Sequence, residues 1–349
     1  MRRYPLVVPA LLLAVLLPGC GRSAPPEGRD GAAAPILRGP YLGETPPGET
    51  PVPFAPGVVS TGLGERDVAM MPDGTEIYWG VFGGSYAWST ILMSRVARGT
   101  WTRPEVAPCC RDLRYLDLEP HITPDGQRFM WLSSRPGGAG GQDIWVMDRV
   151  GDGWGEPHPL PAPVNTPDSE YFPSTTRDGT IYFTRSPAGG GENLIYRSRN
   201  VDGVYQEPEV LPAQVNAGLA RYNAFVDPDE RYLVLGMVGG PGSFGGTDHY
   251  VVFRSADDRW SPPVNLGEAV NTESTYEYSA YVSPDGRYLF FMTARPDLAR
   301  LAPGGVASAS SIRALADQPN NGASDIYWMS AGLLERLRPT ADTARPPSP

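Results

Sequence analysis

The sequence predicts an all-β fold, a single β-propeller of four-stranded antiparallel blades. Three observations predict it. A turn motif recurs about every fifty residues, each copy is followed by two strand-like segments, and the last unit lacks a fourth strand for which the N-terminal region offers a match. Radial repetition of a four-stranded unit is typical of propellers, because one blade alone would leave both of its faces unburied.

The turn motif is MPDG at residues 71–74. It returns as TPDG, TRDG, DPDE and SPDG, with steps of 52, 53, 51 and 56 residues. Proline fixes φ at the second turn position, aspartate bonds the nearby backbone, and glycine takes a positive φ. Glu230 replaces the glycine in the fourth copy, so we expect a different turn type there. The motif assigns a structural role to Asp73, Asp125, Asp178, Asp229 and Asp285.

Each turn precedes an apolar run such as EIYWGVF, and a second run such as DIWVMDR follows after a loop. Runs of this composition bounded by Gly and Pro indicate strands. A short fourth segment follows in the first four units, whereas the fifth unit ends in the helix-like LLERLRP. Residues 54–61 resemble the fourth-strand pattern of 159–166, so we expect the N-terminal segment to close the last blade. This gives five blades over residues 54–332, with six as the alternative count.

A short polar residue opens the third strand of every blade. Side chains of this kind accept backbone N–H groups, so we expect them to hold the loops that precede them. The alternative, a set of Ca²⁺ ligands, needs several oxygens that converge on one point, whereas one residue per blade is spread around a ring. The aspartates given this structural role are Asp143, Asp248 and Asp325, with Asn193 and Thr90 in the other two blades.

Several motifs together resemble a known repeat family. The run SSRPGGAGGQDIW at 133–145, the VNT steps at 164–166 and 270–272, and the PDG turns are similar to the WD40-like, or PD40, repeat. This is the propeller type of TolB and of related bacterial outer-membrane lipoproteins. The resemblance covers residues 54–330 and implies the fold and a partner among envelope proteins. It says little about activity, because propellers carry unrelated functions. The DPDE turn departs from the pattern, and the N-terminal domain of TolB has no counterpart.

The first residues are typical of an exported lipoprotein. Two arginines precede an apolar run that ends in Leu-Pro-Gly-Cys at 17–20. This resembles the bacterial lipobox, so we expect a signal peptide at 1–19 and a lipidated Cys20, with an ordinary secretory signal as the alternative. Because Gly21 and not Asp follows, the resemblance implies an outer-membrane location facing the periplasm.

Composition predicts the character of both ends and excludes one class of partner. Residues 20–53 are rich in Pro and Gly and predict a flexible tether, and residues 333–349 predict a mostly disordered tail. The chain carries 29 Lys and Arg against 39 Asp and Glu, a net charge of −10. That balance argues against a nucleic-acid interface, which needs an excess of positive charge. The propeller is expected to be monomeric.

The cysteines and histidines predict no cofactor site. Apart from Cys20, the thiols are the adjacent Cys109 and Cys110, which predict either a vicinal disulfide or a pair of free thiols. The chain has 3 His and no Cys/His cluster, so we expect no metal and no cofactor.

One charged residue stands seven positions before the second residue of each of the five turns. We call these five residues the charged ring: Glu65, Asp117, Glu170, Arg221 and Glu277. They begin the innermost strands, so we expect them to crowd the channel at the end opposite the PDG turns. We call that end the loop face and the other end the turn face. The loop face also carries Arg135, Arg295 and an insertion at 296–324, which together predict a binding surface with a docking loop.

The sequence therefore predicts a non-catalytic binding or scaffold module for another envelope protein. The Gly-x-Ser-x-Gly nucleophile motif of hydrolases is absent from the sequence. The alternative is a glycan-active hydrolase or lyase that draws its acid and base from carboxylates of the charged ring.

Overall fold

A computed structural model of the protein describes residues 36–273, 276–297, 299 and 306–339. Five antiparallel sheets form the blades of a propeller, which confirms the predicted fold. The predicted signal peptide, Cys20 and the first part of the predicted tether lie outside the described residues. Over the described ranges, no helix is long and apolar enough to cross a membrane.

The strands follow one another in blade order, after a single N-terminal strand, β1 (Val52–Pro53). Blade 1 contains β2 (Gly64–Met70), β3 (Glu76–Gly83), β4 (Trp88–Ala97), β5 (Thr100–Trp101) and β6 (Glu105–Val106). Blade 2 contains β7 (Asp117–Ile122), β8 (Arg128–Ser133), β9 (Asp143–Val150), β10 (Gly153–Trp154) and β11 (His158–Pro159). Blade 3 contains β12 (Ser169–Thr175), β13 (Ile181–Ser186), β14 (Leu194–Ser198), β15 (Asn200–Val201), β16 (Val204–Tyr205) and β17 (Glu209–Val210).

The last two blades have fewer strands in sequence. Blade 4 contains β18 (Ala220–Val226), β19 (Tyr232–Val238), β20 (Thr247–Phe253) and β21 (Val264–Asn265). Blade 5 contains β22 (Glu277–Val282), β23 (Tyr288–Thr293) and β24 (Asp325–Ser330). The described residues contain two α-helices, α1 (Ala309–Leu315), inside the insertion, and α2 (Gly332–Arg336), after the last strand, and a 3-10 helix at Tyr41–Gly43.

The N-terminal strand closes the ring. β1 pairs antiparallel with β24, with Val52 opposite Trp328, and the N–H of Phe54 donates to the carbonyl of Ile326 at 2.8 Å. Leu160 makes the equivalent bond to Ile144 at 2.9 Å in blade 2. The predicted closure is therefore confirmed. The paired residues, Val52 and Pro53, lie just before the segment 54–61 from which closure was predicted.

The predicted boundaries of the tether and the tail are wrong at the propeller side. Leu42 is fully buried, and the Tyr41 ring lies 5.0 Å from that of Tyr288, because this pair packs into an apolar cluster that blades 1 and 5 share. At the other end, α2 buries Leu334 against blades 4 and 5. Residues 36–53 and 333–339 thus pack on the propeller.

The PDG turns have one geometry in all five blades. Asp73 Oδ1 accepts the N–H of Thr75 at 3.0 Å, and Gly74 has a φ of 71°. The expectation of a different turn at Glu230 is wrong, because Glu230 takes a φ of 53° and keeps the same backbone bond, to Asp227. There the accepting carboxylate is Asp227, which leaves Asp229 to pair with Arg177 at 2.7 Å.

The innermost strands carry no alternation of buried and exposed residues. Every residue of β2 and β7 is buried, because each blade packs face to face against its two neighbours. Each innermost strand also contains a register shift near its third position. A bulge of this kind re-aims side chains, here at the centre of the ring.

Candidate functional site

The charged ring is buried, and its predicted exposure at the channel mouth is wrong. None of the five side chains has a residue exposure above 3 %. Three of the carboxylates take part in one repeated arrangement, which we call the seam latch. Each latch joins a carboxylate at the start of an innermost strand to an arginine at, or two residues after, the end of the next strand. The pairs are Asp117 with Arg135, Glu170 with Arg185, and Glu277 with Arg295.

Each latch arginine also binds the chain segment that links two blades. Arg135 donates to Asp117 Oδ1 and to the carbonyl of Cys109, both at 2.8 Å. Arg185 donates to Glu170 at 2.7 Å and to the carbonyl of Val164 at 2.9 Å. Burial raises the pKa of both carboxyls, and the arginines oppose that shift. The latch therefore ties adjacent blades and leaves its charges unavailable to a partner.

Aromatic rings cover the latch arginines. The Arg135 guanidinium lies 5.2 Å from both the Trp131 and the Trp145 ring, and that of Arg295 lies 5.2 Å from the Tyr327 ring. Arg135 and Arg295 were predicted to belong to a binding surface. Their guanidinium groups instead pair with carboxylates and pack on aromatic rings within the propeller. Arg185 escaped the sequence analysis because it lies in a Thr-Arg-Ser context and not beside proline.

Two blades depart from the latch. Glu65 bonds the hydroxyl of Thr61, and in the described part of the chain no arginine or lysine pairs with it. Burial therefore raises its pKa to about 8. In blade 4 the charge is reversed, and Arg221 donates to the carbonyls of Ala217 and Gly218 and pairs with Glu192 at 3.0 Å.

The aspartates that open third strands hold loops, in the role that the sequence predicts for them. Asp143 Oδ1 accepts the N–H of Ala139 at 3.0 Å, and Asp248 Oδ2 accepts that of Phe244 at 2.6 Å. Asp325 Oδ2 accepts the N–H of Asn320 at 2.7 Å.

The centre of the ring holds a polar cluster that the sequence analysis missed. One residue of each innermost strand takes a positive φ between 53° and 62°: Asp67, Glu119, Phe172, Asn223 and Ser279. Residues other than glycine rarely adopt this conformation. With Arg66, these five residues form what we call the channel plug. Its members come from five blades, so sequence spacing gives no sign of it.

Arg66 and Glu119 are the main members of the plug. Arg66 pairs with Asp67 and with Glu119, each at 2.7 Å. Glu119 Oε2 accepts the N–H of Phe172 at 2.7 Å. Asn223 donates to Ser279 at 3.0 Å, which joins blades 4 and 5. Burial raises the pKa of Glu119 to about 7, although Arg66 opposes the shift.

Tyr86 packs over the plug from the loop face. Its hydroxyl accepts from Arg66 Nη1 at 3.1 Å and shares a 2.6 Å hydrogen bond with the Tyr278 hydroxyl. Its ring stacks on Phe82 at 4.2 Å. The insertion at 296–324 contributes the exposed helix α1, and Asn321 donates to the carbonyl of Gly62 at 3.1 Å. This end of the channel is therefore occupied by the protein's own side chains.

The turn face, in contrast, opens into a cavity of about 520 Å³. Four turn prolines line it: Pro72, Pro124, Pro228 and Pro284. Its acidic and arginine side chains are four carboxylates and two guanidinium groups: Asp227, Asp229, Asp285, Glu335, Arg177 and Arg231. The lining thus has an excess of negative charge.

His121 belongs to the inner lining of this cavity. Its Nε2 accepts the N–H of Thr175 at 3.1 Å across the seam between blades 2 and 3. Burial lowers its pKa to about 3, so the ring is neutral at physiological pH. A neutral, already bonded imidazole contributes shape to the cavity and no charge.

Several solved structures are similar to this chain at low sequence identity. TolB from Acinetobacter baumannii is 15 % identical, with 76 % of this chain and 57 % of that chain covered and a TM-score of 0.42. A protein assigned as TolB from Agrobacterium tumefaciens is 14 % identical, with 76 % and 90 % covered and a TM-score of 0.44. Hydrazine synthase from Kuenenia stuttgartiensis is 15 % identical, with 64 % and 60 % covered and a TM-score of 0.38.

At these identities the similarity concerns the fold alone, and the chain spans only 57 % of the length of Acinetobacter TolB. No protein-family model matches the sequence. No curated protein matches it either. The geometry of the two channel ends is therefore the guide to function.

Proposed function

We propose that the protein is a non-catalytic, lipid-anchored envelope module that binds another envelope protein in the turn-face cavity. The observation that supports this most is the difference between the two ends of the channel. The loop-face end is filled by Tyr86 and the channel plug, whereas the turn-face end is a cavity of about 520 Å³. Pockets of this size are the usual place for a bound group on a rigid scaffold.

The charge of the lining favours a cationic segment of the partner. Asp229 and Glu335 are both more than half exposed, at the rim, so a basic side chain could reach them without breaking the fold. Complementary charge of this kind raises the association rate and weakens with salt. The glycan-hydrolase alternative loses its proposed acid and base, because the ring carboxylates that it would use are buried.

Site-specific crosslinking in cells tests this proposal. A photoreactive benzoylphenylalanine is placed at position 229 or 335 on the turn face, and at position 273, also exposed, on the loop face as the control. The turn-face positions should form a covalent adduct with a discrete envelope protein, and position 273 should not. An adduct at 273 alone would place the interface on the wrong end of the propeller.

The anchoring part of the proposal has its own test. Cys20→Ser removes the acceptor of the lipid, so the mature protein should move from the membrane fraction to the soluble fraction of the envelope. A Cys20→Ser variant that sediments with membranes as completely as the wild type would contradict lipid anchoring.

A further inference from the structure

Three of the links between blades are fastened by an asparagine. Asn165, Asn216 and Asn271 each accept, through Oδ1, the N–H of a third-strand residue of the preceding blade, at 3.0, 2.8 and 2.8 Å. Each also donates from Nδ2 to the carbonyl of that same residue. We call this two-way bond the asparagine bracket.

A buried valine precedes each bracket asparagine and closes a tight turn. The N–H of Val164 donates to Pro161 at 3.2 Å, that of Val215 to Pro212 at 3.0 Å, and that of Val270 to Gly267 at 3.0 Å. In the link from blade 5 to blade 1, Ser60 takes the place of the asparagine and donates to Ile326 at 2.9 Å.

The link from blade 1 to blade 2 has a turn of the same kind, which begins one residue earlier, at the residue that bonds the third strand, and it has no asparagine. The N–H of Cys110 donates to Ala107 at 3.0 Å, so Cys110 stands where the other links have valine. The next residue is Arg111, which is exposed. At this one link the chain carries a disulfide, between Cys109 and Cys110.

The disulfide is packed into the seam between the two blades. Both cysteines are buried in a cluster with Trp131 and Trp145. The carbonyl of Cys109 accepts from Arg135, and the carbonyl of Cys110 accepts from the Thr90 hydroxyl at 2.6 Å. The two peptide groups that the disulfide holds are therefore the acceptors that fasten this link to blades 1 and 2.

We propose that the Cys109–Cys110 disulfide replaces the asparagine bracket, so that the link between blades 1 and 2 is fully fastened only under oxidising conditions. A bond between adjacent side chains restricts the backbone rotations of both residues and keeps their carbonyls directed at Thr90 and Arg135. Loss of the bond frees those rotations. Arg135 then holds Asp117 less firmly, and the seam opens more often.

The chemical step is thiol–disulfide exchange with a dithiol reductant. One thiolate attacks a sulfur of the protein disulfide, and the second thiol of the reductant resolves the mixed disulfide. The S–S bond of the protein breaks, and each cysteine sulfur gains one hydrogen. The dithiol loses two hydrogens and forms its own S–S bond. Two electrons pass from the reductant to the protein.

Melting of the mature chain with and without dithiothreitol tests the proposal, with free thiols counted in each sample. Reduction of the wild type should release two thiols and lower Tm by roughly 2 °C or more. Cys109→Ala/Cys110→Val should melt at the lower temperature under both conditions. Adding Arg111→Asn to that pair transplants the bracket and should restore most of the difference, with no response to dithiothreitol.

Either of two melting results would overturn the proposal. One is a wild-type Tm that does not change although two thiols have been released. The other is a triple variant that melts no higher than the double variant. Hydrogen exchange of residues 107–117 in the reduced wild type gives a second readout that needs no variant, and protection there equal to that of the oxidised protein would also overturn the proposal.

Discussion

Arg66 of blade 1 and Glu119 of blade 2 are joined by a 2.7 Å ion pair at the centre of the propeller. Each of them also bonds members of other blades, so this one pair connects a large part of the ring. Buried charges are costly unless fully bonded, and these two are bonded on several sides.

The first prediction concerns this pair. Arg66→Met leaves the carboxylates of Asp67 and Glu119 buried without a cation, so it should lower the free energy of unfolding by roughly 3–5 kcal/mol. The control is Arg177→Met, which removes an exposed pair with Asp229 and should change it by less than about 1 kcal/mol. Denaturant titration measures both, and similar losses for the two variants would show that the plug does not hold the blades.

The second prediction separates the two kinds of ring carboxylate. The pKa of Glu65 is raised to about 8 in the folded protein, above its ordinary value of 4.5. Between pH 4.5 and pH 8 the unfolded chain has lost this proton and the folded protein keeps it. The free energy of unfolding therefore falls as the pH rises through this range, by about 1.4 kcal/mol per pH unit. Glu65→Gln should remove this loss, so its stability relative to the wild type should increase from pH 5 to pH 8.

Glu170→Gln is the matched variant. It leaves Arg185 without its carboxylate, so it should lower the unfolding free energy by roughly 3 kcal/mol at pH 7. Stability measured by denaturant titration at several pH values compares the two variants. A Glu65→Gln variant that is destabilised as much as Glu170→Gln at pH 8 would contradict the assignment of Glu65 as an unpaired acid.

Local chemistry made the turns and the strands predictable, and contacts across blades made the site unpredictable. The PDG turns depend on bonds within a few residues, and only the fourth copy departed from expectation, at Asp229 and Glu230. The seam latch joins Glu170 to Arg185, fifteen residues along the chain, and its burial depends on the next blade. The channel plug joins Arg66 to Ser279, which are 213 positions apart, so no motif in the sequence announces it.

The third prediction concerns closure of the ring. A chain that begins at Ile36 is the reference. A chain that begins at Glu44 lacks Tyr41 and the buried Leu42 and should melt several degrees lower. A chain that begins at Leu63 also lacks β1 and exposes the edge of β24, so it should be the least stable and should aggregate. Equal melting temperatures for the three chains would contradict closure by the N-terminal strand.

The measurement that tests the binding face most directly is partner capture by two charge-reversed variants. Asp229→Lys/Glu335→Lys alters the rim of the turn-face cavity, and Glu268→Lys/Glu273→Lys makes the same change of charge at exposed positions of the loop face. From detergent-solubilised envelopes at low salt, the turn-face variant should lose capture of the crosslinked partner, and the loop-face variant should keep it. Capture that survives in the turn-face variant and disappears in the loop-face variant would contradict the account.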